Sequence, residues 1–116
     1  MQKITLIFFC LLLCACSGKK AVNIPDHILS KQKMAEVMID IHLLEASIST
    51  NTINADKFTL GNPAPDFDVL KKNKITKKQY DESFDFYSQH PDLLNEIYQQ
   101  VLNDLSKMQA EVMNKN

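Results

Sequence analysis

The chain has 116 residues, with 13 lysines against 14 acids and no arginine, so its formal net charge is −1. That length holds one domain and not two. Balanced charge and the absence of any guanidinium for bidentate phosphate contacts exclude nucleic acid as an expected partner.

Residues 1–15 read as a lipoprotein signal peptide. Lys3 supplies a positive start, and the uncharged run from Ile4 to Leu13 is too short to cross a bilayer core, which takes about 20 helical residues. Leu13-Cys14-Ala15-Cys16 resembles a lipobox, with Leu at −3 and Ala at −1 and an unusual Cys at −2. Cysteine suits the acceptor position because its thiolate is a strong nucleophile toward diacylglycerol transfer. Cleavage before Cys16 makes it the lipidated first residue, and two or three acyl chains give a stable membrane anchor where one would be marginal. The competing reading is a plain signal peptide cleaved nearby, which leaves Cys16 a free thiol.

Removing residues 1–15 takes away one lysine and no acid, so the remainder carries close to −2. Cys10 and Cys14 leave with the leader and Cys16 is spent on lipid, so no disulfide and no thiolate metal site is expected. Stability must then come from a packed core.

Residues 16–27 read as a lipidated tether, with Pro25 near its end, and residues 28–116 as the folded domain. Ser30 is a candidate N-cap for a helix running to the Ser- and Thr-rich stretch at Ser49–Thr52. Met34, Val37, Ile41, Leu44 and Ile48 form one stripe at spacings of three and four, and Ala35, Ile39, Leu43 and Ala46 widen it. This helix is expected to be the central, most buried one. From Asn51 to Asp66, Gly61, Pro63 and Pro65 break any period and predict a loop. A short helix over Phe67 to Lys72 follows, closed by Asn73 as a left-handed C-cap. Thr76 with Gln79 has the form of a capping box for a helix through Ser88, which carries Tyr80, Phe84 and Tyr87 on one face with Phe86 beside them. Pro91 opens the last helix, with His90 before it pushed out of helical geometry. Leu94, Tyr98, Val101, Leu105, Met108 and Val112 alternate by four and three along it. The fold predicted is all-α, a small bundle of three main helices plus a short extra one, with neighbours antiparallel. A coiled-coil dimer through the last helix is the alternative.

Three groups carry candidate chemistry. On the first long helix, Glu36, Asp40 and Ser47 share a polar strip expected to face solvent, whereas His42, Glu45 and Ser49 fall among Met34, Met38 and Ile41. His42 and Glu45 are therefore expected as a buried polar pair, bonded to each other or to tyrosine hydroxyls, because an unpartnered buried polar group costs roughly 1–3 kcal/mol. The functional alternative is a ligand or metal site, although a carboxylate bundle site wants a repeated Glu-x-x-His that is not present. Ser88, His90 and Asp92 contain the triad residue types without a nucleophile elbow, and a helix start explains all three. Lys71, Lys72, Lys74, Lys77 and Lys78 read as a solvated turn, with lipid head groups as the alternative contact. No catalytic set, no metal site and no cofactor are expected, and the chain reads as non-enzymatic.

Two segments, residues 28–45 (Ile-Leu-Ser-Lys-Gln-Lys-Met-Ala-Glu-Val-Met-Ile-Asp-Ile-His-Leu-Leu-Glu) and 84–98 (Phe-Asp-Phe-Tyr-Ser-Gln-His-Pro-Asp-Leu-Leu-Asn-Glu-Ile-Tyr), resemble a family of small Bacteroidota-type lipoproteins known only as a domain of unknown function. The resemblance spans Pro25 to Met108 and includes Met34, Asp40, His42, Glu45, Tyr87, Pro91 and Tyr98. It implies an exported, lipid-anchored helical domain, and it supplies no activity or catalytic residue. In such an envelope, Ser17-Gly18-Lys19-Lys20 lacks the acidic residues that follow the cysteine of surface-exported relatives. The location expected is the outer membrane's inner leaflet, facing the periplasm. The expected role is a protein-interaction or assembly module with an unidentified envelope partner, the alternative being a small-ligand or metal-binding protein using His42 and Glu45.

Overall fold

The computed structural model describes residues 20–50 and 68–115. The signal peptide expected over 1–15, Cys16 and the loop expected over 51–66 lie outside the described residues. Four helices are present, α1 (Lys31–Ser49), α2 (Val69–Lys72), α3 (Lys77–Ser88) and α4 (Pro91–Asn114), with no strand among the described residues. The fold is the predicted all-α bundle of three main helices and a short one.

Local chemistry sets the helix starts. Ser30 Oγ accepts from the Lys33 N–H at 3.1 Å, Asp68 Oδ1 from the Lys71 N–H at 3.0 Å, and Thr76 Oγ1 from the Gln79 N–H at 3.1 Å. Each satisfies one of the donors that a helix N-terminus leaves unpaired. At α4 no side chain caps the start. Instead Pro91 stands where its missing N–H costs nothing, behind His90 at φ −125° and ψ 77°.

The left-handed residue after α2 falls one position later than predicted. Asn73 is right-handed at φ −85°, and Lys74 takes φ 55°. The Ile75 N–H reaches Leu70 O and the Lys74 N–H reaches Lys71 O, both at 3.0 Å, which is the bond pattern of a Schellman closure. Asn73 is needed at the cap itself, where its side chain is occupied.

The core is built on α1. Met34, Ala35, Val37, Met38, Ile39 and Leu44 are buried, together with Ile28 and Leu29 ahead of the helix, Val69 and Leu70 on α2, Tyr87 on α3, and Ile97 and Val101 on α4. Full burial of each valine, leucine, isoleucine or methionine among them contributes roughly 1.5–3 kcal/mol. The main packing is α1 on α4, with α3 on α4 and α2 on α1 completing the bundle. Tyr80 before the Gln89–His90 turn and Tyr98 after it line the same groove, so α3 and α4 double back antiparallel.

Two apolar stripes are buried over only part of their length. On α4 the core side is Leu93, Leu94, Ile97, Val101 and Leu105, whereas Tyr98 faces outward. Met108 and Val112 continue the stripe and are exposed. On α1, Leu43 and Ala46 are exposed although Ala35 and Ile39, one or two turns earlier on the same arc, are buried. Helical projection fixes the angle of a side chain, and the length of the covering helices decides its burial.

Candidate functional site

A buried polar clamp joins α3 to the segment before α1. Ser83 and Tyr87, one turn apart, are wholly inaccessible. The Leu29 N–H donates to Ser83 Oγ at 2.9 Å, Ser83 donates on to Gln79 O at 2.6 Å, and the Tyr87 hydroxyl donates to Leu29 O at 2.7 Å. Both peptide groups of Leu29 are thus satisfied from one helix face. Burial raises the Tyr87 pKa above the ordinary phenol value. Sequence reasoning placed Tyr87 in the core and missed Ser83. The available signal was a small polar residue four positions before a core tyrosine.

Asp40 departs from the expected solvent strip. Its side chain is only 15 % exposed and accepts from Lys72 Nζ at 2.6 Å and from Asn73 Nδ2 at 2.7 Å. Asn73 is itself buried and also donates to Val69 O at 2.9 Å. This cluster fastens α2 to α1.

His42 and Glu45 are brought together but are not buried. His42 Nδ1 lies 3.4 Å from Glu45 Oε2, with the side chains 47 % and 63 % exposed. The expectation of a buried polar pair is corrected on that point. The arc that covers Met34, Ala35 and Met38 is open by the level of the pair, so water solvates both groups. Among the described residues, no cluster of three or more His, Cys, Asp or Glu side chains could hold a metal ion. Ser49, the third polar residue of that arc, is likewise exposed and donates to Ala46 O at 2.9 Å.

The pair stands on the rim of a groove of about 230 Å³. Met38 and Ile41 of α1 line it beside His42 and Glu45, and Tyr80 and Phe84 of α3 with Tyr98 of α4 complete it. The Tyr80 and Phe84 rings stack with centroids 6.3 Å apart. Half-burial raises the Tyr80 pKa, helped by the nearby Asp81, Tyr98 and Glu45. The sequence-based link between His42, Glu45 and the tyrosines of the aromatic helix is therefore a matter of shared surface.

Ser88, His90 and Asp92 do not assemble into a triad. The Ser88 hydroxyl donates to Phe84 O at 2.7 Å, and His90 Nδ1 sits 2.7 Å from Phe86 O with its ring against the Phe86 ring. Asp92 lies in the first turn of α4, where an acid meets the positive helix end. In the lysine turn, Lys72 meets Asp40, Lys77 meets Asp81 at 2.6 Å, and Lys78 approaches Glu82 at 3.8 Å. All five lysines are exposed.

Fold and site together define a small all-α domain with an open aromatic groove. The chain belongs to the family described as a domain of unknown function, DUF4296, which matches residues 25–111. No curated protein and no solved structure matches the chain.

Proposed function

We propose that this chain is a lipid-anchored envelope lipoprotein acting as a non-enzymatic interaction module, held through Cys16 at the inner leaflet of the outer membrane and facing the periplasm. The observation that carries the docking role is the far half of α4. There Met108, Val112 and Met113 are 41 %, 63 % and 69 % exposed, and Leu102, at the middle of the helix, is 58 % exposed. A run of large apolar side chains on one helix end marks an interaction surface.

The geometry suits a tethered module. Val22 and Ile24 lie beside the α3–α4 turn at Gln89 to Leu93. Cys16 is four residues ahead of Lys20, a reach of at most about 14 Å, which holds that end near the bilayer. The far end of α4 lies about 30 Å further along its helix. Anchoring also raises the effective concentration toward envelope partners. The occupant is an envelope protein with a matching apolar face.

Two measurements test this reading. Cys16→Ala should release the protein from membrane fractions and abolish lipid labelling; unchanged retention would remove the anchor. Crosslinking in intact envelopes should recover a reproducible partner that Leu102→Asp with Val112→Asp loses. Recovery of no reproducible partner, or of one indifferent to those substitutions, would remove the docking role.

A further inference from the structure

We propose that the groove between α1, α3 and α4 is the seat for a single cationic side chain, lysine or arginine, carried by the docking partner, with Glu45 as its counter-charge. This rests on the docking reading above and names the chemistry that the partner presents.

Size is the first constraint. At about 230 Å³ the groove falls below the range of roughly 300–1,000 Å³ typical of drug-sized ligands, and one long side chain fits it. Its composition narrows the guest further. Phe84 and Tyr98 each keep about 40 % of their surface exposed, so aromatic surface is open to an incoming group. Aromatic faces attract ammonium and guanidinium groups, Arg and Lys alike.

Charge then decides between a cationic and a neutral guest. Among the described residues, Glu45 lines the groove and no lysine does. On the other flank of the Tyr80–Phe84 ridge, a second shallow groove carries Asp81 and Asp85. Burial is the main cause of the raised Tyr80 phenol, and the neighbouring Asp81, Tyr98 and Glu45 add to it. A neutral guest would strip water from the Glu45 carboxylate and return nothing, whereas a cation compensates it. Met38 and Ile41 supply an apolar wall for the methylene stem, the arrangement in which long cationic side chains lie on apolar surface with the charge at the rim. His42, 3.4 Å from Glu45 and largely solvated, is the neighbour that such a guest displaces.

The test is an NMR titration of the mature chain, residues 16–116, with N-acetyl-lysine amide and N-acetyl-arginine amide. N-acetyl-norleucine amide, which has the stem without the charge, is the control. Saturable shifts confined to Glu45, Tyr80, Phe84 and Tyr98 are expected with the cationic probes, and weaker binding of norleucine. Glu45→Gln should weaken the cationic probes about fivefold and Tyr98→Leu about threefold, the scale of one exposed charge or cation–π contact. Both positions are exposed, and unchanged Tyr87 ring signals verify the fold of each variant. Equal binding of norleucine, shifts with no common location, or Glu45→Gln without effect would overturn the proposal.

The envelope crosslinking separates this inference from the docking role. A partner lost in Leu102→Asp with Val112→Asp but retained in Glu45→Gln and Tyr98→Leu would overturn the cationic seat and leave the docking role standing. Probe binding with no partner recovered by the wild type would overturn the docking role and the assignment of the guest to a partner.

Discussion

Replacing Ser83 by alanine should destabilise the domain out of proportion to the single oxygen removed. Ser83 is wholly buried, and its hydroxyl accepts from the Leu29 N–H at 2.9 Å. In Ser83→Ala that N–H stays buried with no acceptor and no access to water, which costs roughly 1–3 kcal/mol. Tyr87→Phe removes the matching bond to Leu29 O, at a cost of about 1–2 kcal/mol because a carbonyl tolerates loss of one partner better than an N–H does. The two bonds hold one residue from one helix face, so the double variant should depart from the sum of the singles by about 0.5 kcal/mol or more. The assay is urea unfolding of the chain from Ser17 onward, followed by helical circular dichroism, with Ser88→Ala as control. Ser88 makes the same kind of bond to the backbone four residues earlier, but on the exposed face, so its loss should stay within about 0.5 kcal/mol. Equal midpoints for Ser83→Ala and Ser88→Ala would refute the clamp.

Lys74→Gly should stabilise the domain by up to about 1 kcal/mol in the same assay, because Lys74 pays for a left-handed backbone at φ 55° that glycine adopts freely. A loss of stability would show that the Lys74 side chain matters more than its backbone. Asp40→Ala should cost about 1–2 kcal/mol, since it unfastens buried Asn73, whereas Lys72→Ala removes an exposed partner and should cost about 0.5 kcal/mol or less; the reverse order would place the weight on the ion pair. Replacing both His42 and Glu45 by alanine should shift stability by no more than about 0.5 kcal/mol, as expected of exposed groups, and a loss of several times that would restore the buried reading. The phenol of Tyr87 is harder to ionise folded than unfolded. Its contribution is therefore complete below the unfolded value of about 10 and is lost as pH rises through the folded value. Midpoints measured across that range should fall more steeply for wild type than for Tyr87→Phe.

Much of the architecture was legible in the residues alone, because capping and helical period are local properties. Ser30, Thr76 and Pro91 mark helix starts through bonds made or omitted within one turn, and α1, with its wide apolar arc, forms the centre of the core. The shift from Asn73 to Lys74 was not legible. An asparagine is drawn to the cap by its side chain as well as by its backbone, and here contact with Asp40 on another helix decided which of the two prevailed. His42 and Glu45 show the same division. Their spacing on one helix put them within reach of each other, but angle around a helix carries no information about how far along it the neighbours extend. The last turns of α4 kept an apolar pattern that reads as core and is surface, for that reason alone. Sequence by itself determined the helices, their starts and the all-α class, since these depend on neighbours within a few residues. Tertiary structure decided which stripes are covered, which polar groups meet across helices, and where an aromatic groove with one carboxylate stands open, since these depend on helices that approach from elsewhere in the chain.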